Sequence, residues 1–204
     1  MQGLMKAFVV SGLVCFAVSV SAEDNIEANA MLPDAEKPLS FVLTGGLTYG
    51  GDELAELRFT DGDSQKIKAG ALLYVGTGFL ARFSDSPMSL QATINYHFDI
   101  STAENGDATF SRVPLEVIGF YTKDKFRFGA GLSYHLKPTL DIDTDRGSIN
   151  NKFDDALGYV LQVDYLAAKN LALGARILAI EYEASDVDFS ADGNSVGLIG
   201  TLMF

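Results

Sequence analysis

Ser133 and His135 lie two residues apart in a segment of alternating hydrophobicity, a spacing that places both on the same face of a strand. A carboxylate, Glu116, lies on the preceding segment of the same kind. A hydroxyl, an imidazole and a carboxylate can form a nucleophile with its general base, so acyl transfer or hydrolysis is one chemistry to consider. The alternative is structural: His135 and a second histidine, His97, are polar groups inside the fold that other polar groups satisfy.

An acidic stretch, Asp141-Ile-Asp143-Thr-Asp145-Arg-Gly147, is similar to the start of a calcium-binding loop, in which alternate carboxylates converge on the ion. The glycine comes one place late, and Lys152 stands where the final bidentate Glu would be. We therefore expect no specific metal site and no cofactor, and interpret the stretch as part of an anionic surface. The other acidic residues of that surface are Asp61, Asp63, Asp186, Asp188 and Asp192.

The sequence has 204 residues and a formal net charge of −12, from 15 Lys and Arg against 27 Asp and Glu. This charge argues against nucleic-acid binding, which depends on neutralising phosphates with a basic surface. The length fits one domain after export. Beyond residue 22 no apolar run approaches the roughly 20 residues that a membrane-spanning helix needs.

Residues 1–22 have the pattern of a secretory signal peptide. Lys6 precedes an apolar stretch that ends in Val20-Ser21-Ala22, with small residues where a signal peptidase cleaves. We expect the mature chain to begin at Glu23 and residues 23–38 to form a flexible lead-in. The one cysteine, Cys15, falls within the signal, so no disulfide framework is expected.

Residues 39–204 contain eight segments with the period of two that is typical of β-strands. The clearest is 88–98, where Met88, Leu90, Ala92, Ile94, Tyr96 and Phe98 alternate with polar residues. The other segments are 39–50, 66–83, 110–122, 126–136, 155–167, 170–182 and 194–204. Tight turns alternate with longer acidic connections at 51–65, 99–109, 137–154 and 183–193, which predicts an antiparallel up-and-down meander. The first long connection has a hairpin signal of its own.

The two faces of these segments differ in the size of their side chains. One face is small and polar, as in Ser40, Thr44 and Gly46, whereas the other is large, aromatic and almost free of charge. In water the second face would form an apolar patch far larger than soluble monomers tolerate, so lipid is the expected solvent. A soluble lipocalin-like carrier with an apolar interior is the alternative fold. The aromatic residues expected at the two membrane interfaces are Tyr49, Tyr74, Tyr96, Tyr121, Tyr134, Tyr165 and Phe204.

Placing the small polar face inside also turns several charged residues inward. These are Arg82, Arg112, Glu116, Arg127, Asp164 and Arg176. An eight-stranded barrel is just wide enough for its side chains to fill, so we expect the charges to satisfy one another in a polar network. A narrow pore is the alternative. The inward parity is ambiguous beyond Arg176, because Leu178 and Ile180 would then also face inward.

The last segment, Val196-Gly-Leu-Ile-Gly-Thr-Leu-Met-Phe204, alternates and ends in Phe. With the signal peptide and the eight segments, it resembles the small eight-stranded outer-membrane barrels of Gram-negative bacteria, the class of the OmpA transmembrane domain and OmpX. The resemblance implies an all-β, eight-stranded antiparallel up-and-down transmembrane β-barrel over residues 39–204, with termini and tight turns in the periplasm. It also implies that Phe204 is read by the barrel-assembly machinery. The absence of Trp departs from the usual interface composition.

The resemblance implies a monomer with a structural or surface-interaction role, whose partners are outer-membrane lipids and lipopolysaccharide. Its acidic loops would face outward, where divalent cations could bridge them to lipopolysaccharide phosphates. Some barrels of this class deacylate lipid A, but they carry His before Ser and their site faces lipid. Here the order is Ser133-Tyr134-His135 and the site faces the lumen. We therefore predict no enzymatic activity.

Overall fold

The computed structural model describes residues 38–58, 64–70, 72–103, 106–144, 147–185 and 189–204. The predicted signal peptide and residues 23–37 of the lead-in lie outside this part of the chain. The described residues form thirteen β-strands. They are β1 (Leu39–Gly50), β2 (Glu53–Arg58), β3 (Ser64–Lys68), β4 (Leu72–Arg82), β5 (Met88–Ala103), β6 (Gly106–Lys123), β7 (Phe126–Thr144), β8 (Gly147–Lys152), β9 (Ala156–Ala168), β10 (Leu171–Ala179), β11 (Glu181–Glu183), β12 (Ser190–Asp192) and β13 (Ser195–Met203). No helix in the described ranges is long and apolar enough to cross a membrane.

Eight of these strands close into a barrel. Strands β1, β4, β5, β6, β7, β9, β10 and β13 pair antiparallel in that order, and β13 pairs back onto β1 from Val42↔Met203 to Gly50↔Ser195. Closure gives each barrel strand a hydrogen-bonding neighbour on both sides, which a sheet in lipid requires. The predicted eight-stranded antiparallel barrel is therefore confirmed.

The tight turns and the chain terminus lie at one end of the barrel, which we call the turn end. Asp85 and Asp124 occupy two of these turns with φ of 54° and 53°, a left-handed conformation that Asp tolerates better than most residues. The opposite end, the loop end, carries the longer connections. The predicted alternation of short and long connections is confirmed only in part, because β5 and β6 are joined at the loop end by residues 104–105 alone.

The apolar face of each strand points outward, as predicted. Ile94 and Phe128 are 52% and 51% exposed, whereas their neighbours Asn95 and Arg127 are 2% exposed inside the barrel. Leu132 is also on the outside. This polarity is the reverse of a lipocalin-like barrel and excludes that alternative fold. It also resolves the parity of the seventh segment, because Leu178 and Ile180 are buried on the inward side.

Two of the predicted loops are wrong. Residues 99–103 and 106–109 continue β5 and β6 up to the pair Ala103↔Gly106. Residues 137–144 continue β7, and residues 147–152 form its partner β8. The prediction failed because this sheet lies beyond the apolar belt. There the polar-inside, apolar-outside pattern no longer holds, so alternation does not mark the strands.

The second and seventh predicted segments are each divided in the structure. Segment 66–83 becomes β3, which pairs with β2 as the hairpin signal predicted, and β4, which belongs to the barrel. Segment 170–182 becomes β10 and the short β11, which pairs with β12. Both hairpins therefore stand on the loop end of the barrel.

Candidate functional site

The turn end of the lumen contains a buried ion pair. Arg127 of β7 donates from Nη2 and Nε to Asp164 Oδ2 of β9, at 2.6 and 3.2 Å. Adjacent pairing of the two residues across β7 and β9 brings these side chains together. Gln162 Nε2 donates to the other carboxylate oxygen at 2.9 Å, and the guanidinium lies 4.4 Å from the centre of the Phe120 ring. The ion pair is thus also in contact with Gln162 and with the ring of Phe120.

Arg82 lies at the same end but with different partners. Its Nη1 donates to Ser40 Oγ at 2.8 Å, and its Nη2 is 3.7 Å from Met203 Sδ. Met203 belongs to an apolar cluster with Val42 and Leu80 that fills the barrel beside it. Arg82 therefore bridges the polar and apolar parts of this end.

Glu116 is the hub of the middle of the lumen. Arg176 Nη2 and Nη1 donate to its two carboxylate oxygens at 2.5 and 3.2 Å, which makes a bidentate ion pair between β6 and β10. Ser133 Oγ donates to Oε1 at 2.9 Å and the Tyr74 hydroxyl donates to Oε2 at 3.1 Å. Four donor atoms, on three residues of three strands, thus stabilise one buried carboxylate.

A chain of hydrogen bonds continues from Ser133 towards the loop end. His135 Nε2 is 2.9 Å from Ser133 Oγ, and His135 Nδ1 is 2.7 Å from the Tyr182 hydroxyl. Burial raises the pKa of Tyr182 to about 12, so this phenol is a neutral donor at physiological pH. Tyr182 then donates to Nδ1, His135 donates from Nε2 to Ser133, and Ser133 donates to Glu116. This tautomer of His135 is assigned from the network.

The second lumen histidine accepts a hydrogen bond from an arginine. Arg112 Nη2 is 3.3 Å from His97 Nε2, and because a guanidinium has donors only, that nitrogen must accept. Thr48 Oγ1 lies 2.8 Å from the same nitrogen. His97 and His135 are therefore both neutral groups that link hydroxyls and charges of neighbouring strands.

Three aromatic rings close the lumen at the loop end, and we call them the aromatic cap: Phe110, Phe153 and Tyr182. Their ring centres lie 5.8 to 6.3 Å apart with interplanar angles of 62° to 82°, a favourable edge-to-face geometry. The Arg112 guanidinium stacks beneath the cap, 4.8 Å from the Phe110 ring. The cap separates the polar lumen from the outside at this end.

The space left between these groups is small. A cavity of about 10 Å³ remains in the middle of the lumen, bounded by Tyr74, His97, Glu116, His135 and Arg176 among others. That volume is about the size of one water molecule. The lumen is therefore filled by side chains at this level.

The arrangement of Ser133, His135 and Glu116 does not fit nucleophilic catalysis. In a catalytic triad the imidazole accepts the hydroxyl proton and the carboxylate orients the other ring nitrogen. Here the Ser133 hydroxyl donates its hydrogen bond directly to Glu116, and His135 Nδ1 accepts a hydrogen bond from Tyr182. Ser133 and His135 are also fully buried, so an acyl substrate has no access to the hydroxyl.

The structure places all six predicted lumen residues inward and joins four of them into two ion pairs, Arg127 with Asp164 and Arg176 with Glu116. The prediction that Tyr74 lies at the membrane interface is wrong, because Tyr74 is buried and bonded to Glu116. Its parity is that of Arg82 in the same strand, a signal that would have placed it inside. Tyr182 shares the inward parity of Arg176 in the predicted segment 170–182, but its hydrogen bond to His135 depends on the pairing of β11 with β12 and had no local signal.

The described part of the acidic stretch lies on β7 and at the start of β8. Asp141 accepts a hydrogen bond from Asn150 of β8, and Asp145 lies outside the described residues. Within the described ranges no three His, Cys, Asp or Glu side chains are grouped so that they could hold a metal ion.

Comparison with known proteins defines the fold class. No family model and no curated protein sequence matches the chain. Among solved structures it is similar to Neisserial surface protein A (NspA), at 10% identity and a TM-score of 0.52, over 82% of this chain and 98% of that one. It is also similar to Ail, the attachment invasion locus protein of Yersinia pestis, in complex with the heparin analogue sucrose octasulfate. That match has 10% identity and a TM-score of 0.55, over 81% of this chain and 97% of Ail. The fold is thus that of the small eight-stranded outer-membrane barrels.

Proposed function

We propose that this chain is an outer-membrane barrel protein with a structural or surface-interaction role. The observation that carries the proposal is the pairing of an apolar outer face with a lumen filled by ion pairs and hydrogen bonds. An apolar outer face of this size requires lipid as its solvent. A lumen filled by side chains leaves no channel, so the barrel holds the protein in the membrane instead of conducting solutes. The fold shared with NspA and Ail supports the same placement.

The loop end is the surface that such an anchor would present to the outside. Its exposed carboxylates are Asp52, Glu53, Asp107, Asp141, Asp143, Asp154, Asp155, Glu181, Glu183 and Asp192. Exposed lysines at this end include Lys137 and Lys152. The excess of negative charge favours cationic partners, including divalent cations shared with the phosphates of lipopolysaccharide. We expect the barrel to be a monomer.

Surface labelling of intact cells tests this placement. A membrane-impermeant amine reagent should label Lys137 and Lys152 at the loop end and leave Lys123 and Lys169 at the turn end unlabelled until the cells are lysed. All four lysines are exposed on the protein itself, so accessibility alone does not separate them. Labelling of the turn-end lysines in intact cells would overturn the orientation.

A filled lumen also predicts no conductance. The purified protein should give no discrete current steps in planar bilayers in which a general porin, inserted as a positive control, conducts. Regular steps would show a pore and contradict the proposal.

The closed lumen also predicts no catalysis. Overexpression should leave the mass spectrum of lipid A unchanged, and a mass shift that Ser133→Ala abolishes would establish an enzyme instead.

A further inference from the structure

The turn end of the lumen brings two arginines to one methionine. Met203 is the last residue of β13, and its side chain is buried inside the barrel. Arg82 Nη2 lies 3.7 Å from the Met203 sulfur, and Arg127 Nη1 lies 3.8 Å from the same atom. Two guanidinium groups, one from β4 and one from β7, therefore direct N–H donors at a single uncharged atom.

The acceptor that these two guanidinium groups share is a poor match for them. A guanidinium carries five N–H donors and is usually found against the oxygens of carboxylates or phosphates, whereas a thioether sulfur accepts hydrogen bonds only weakly. The two sulfur-to-nitrogen distances also exceed the about 2.7–3.2 Å of an N–H···O bond. The arrangement therefore suits a stronger acceptor at the position of the sulfur.

Oxidation of the thioether produces such an acceptor. A two-electron oxidant such as hydrogen peroxide transfers one oxygen: a sulfur lone pair forms the S–O bond, the O–O bond breaks, and the proton of the transferred hydroxyl joins the departing hydroxide to give water. The sulfur is oxidised to a sulfoxide and the peroxide is reduced. A sulfoxide oxygen on the side of the two guanidinium groups would lie nearer to both Nη atoms than the sulfur does.

The sulfur lies close to water at the turn end. The backbone N–H of Met203 donates to the carbonyl of Asn170, which lies in the exposed turn between β9 and β10, at 2.8 Å. Arg82, which contacts the sulfur, is half-buried. The aromatic cap closes the opposite end of the lumen, so a small oxidant has its short route to the sulfur through the turn end.

We propose that Met203 is a site of oxidation to methionine sulfoxide, and that Arg82 and Arg127 bind the sulfoxide oxygen. A sulfoxide in an apolar core normally destabilises a protein, because it buries a polar oxygen without a donor. At Met203 the apolar contacts with Val42 and Leu80 lie in the same cluster as before, while the two arginines supply the donors. The folded barrel therefore tolerates the modification. This inference does not depend on the proposed function, because the contacts belong to the barrel in either orientation.

Three substitutions isolate this methionine. Met88→Leu removes the other methionine of the described ranges, which is exposed on the outward face, and serves as the background. In that background Arg82→Leu removes one of the two donor groups while the Arg127–Asp164 ion pair stays intact. Met203→Leu, which keeps an apolar side chain but cannot be oxidised at sulfur, is the control.

The experiment treats the full barrel, folded in lipid vesicles, with hydrogen peroxide. Peptide mass spectrometry locates the added oxygen, and urea unfolding before and after treatment gives the change in midpoint. We expect the Met88→Leu protein to gain one oxygen at Met203 without a fall in its urea midpoint. With Arg82→Leu added, the same oxidation should lower the midpoint by about 0.5–1 M, because the buried oxygen loses a donor. The midpoint of Met203→Leu should not respond to peroxide.

Two results would overturn the inference. The first is an unmodified Met203 in the folded wild type under conditions that oxidise the exposed Met88. The second is a midpoint that falls on oxidation of Met203 while both arginines are present, a measurement that needs no arginine variant and so holds even if Arg82→Leu fails to fold.

Discussion

At the residue scale, a single buried carboxylate, Glu116, contributes much of the stability of the lumen. Replacing it with Ala leaves the buried Arg176 guanidinium without its counter-ion and removes the acceptor of Ser133 and Tyr74. We expect Glu116→Ala to lower the free energy of unfolding by about 3–5 kcal/mol, because an unpaired buried charge is costly. Urea unfolding of the protein refolded into lipid vesicles measures this. The exposed Glu181→Ala should change it by less than about 0.5 kcal/mol, and equal losses in the two variants would contradict the hub role.

Tyr182 predicts how the stability depends on pH. Its pKa is raised by burial from 10 to about 12, so the folded state favours the neutral phenol. That contribution is complete below pH 10 and is lost as the pH rises towards 12. The urea midpoint of the wild type should therefore fall between pH 9 and pH 11.5 by more than that of Tyr182→Phe. If the two proteins lose the same stability over this range, Tyr182 is not the buried donor described above.

At the element scale, the close approach of β6 and β7 depends on an inward glycine. A Cβ on Gly131 would lie 2.2 Å from the Val117 carbonyl oxygen, whereas a Cβ on Gly119, in the neighbouring strand, would meet nothing closer than 3.8 Å. Gly131→Ala should therefore force the strands apart and lower the free energy of unfolding by about 1–3 kcal/mol. Gly119→Ala should be neutral in the same urea assay. A destabilised Gly119→Ala beside an unaffected Gly131→Ala would contradict the register.

The final strand offers a test of assembly rather than of stability. Phe204 is exposed on the outside, and its ring touches Phe41 only in a tilted contact with centres 6.2 Å apart. We propose that the assembly machinery reads Phe204. Phe204→Ala is therefore expected to refold in vitro like the wild type but to accumulate less in the outer membrane of cells. Phe83→Ala, which removes another exposed ring at the turn end, is the control. Equal levels of both variants in the outer membrane would show that Phe204 has no special role in assembly.

The sequence predicts the elements well where one side of a strand meets lipid and the other meets the lumen. Segment 88–98 alternates without a break and is part of β5. Beyond the lipid belt the interior turns apolar: Phe110, on the same inward parity as Arg112, packs in the aromatic cap. Alternating hydrophobicity therefore does not predict strands between residues 99 and 109, where only pairing with the neighbouring strand determines the structure.

The candidate site follows the same division. The inward position of Arg127, Asp164 and Glu116 follows from strand parity alone, which is a local property of the sequence. Their partners depend on register, because Arg127 meets Asp164 only when β7 and β9 pair at that offset. Tyr182 continues the inward parity of Arg176, but its contact with His135 depends on the pairing of β11 with β12, which parity does not specify.

At the scale of the whole molecule, the protein has two regions of opposite polarity. In the barrel, charges are inside and apolar groups are outside; above it, the aromatic cap is inside and the carboxylates are outside. The cap therefore marks the level at which the solvent of the outer surface changes from lipid to water.

The central claim is that the apolar face of the barrel contacts lipid while the polar face is buried in the lumen. Cysteines at adjacent residues of β7 test this claim most directly. The one cysteine of the sequence is Cys15, in the predicted signal peptide, so single thiols can be introduced into the barrel without a competing thiol. In membranes, Leu132→Cys should react with a membrane-soluble maleimide and not with an impermeant one. Ser133→Cys, a nearly isosteric change at a fully buried position, should react with neither until the barrel is denatured. A protected Leu132→Cys together with a reactive Ser133→Cys would contradict the account.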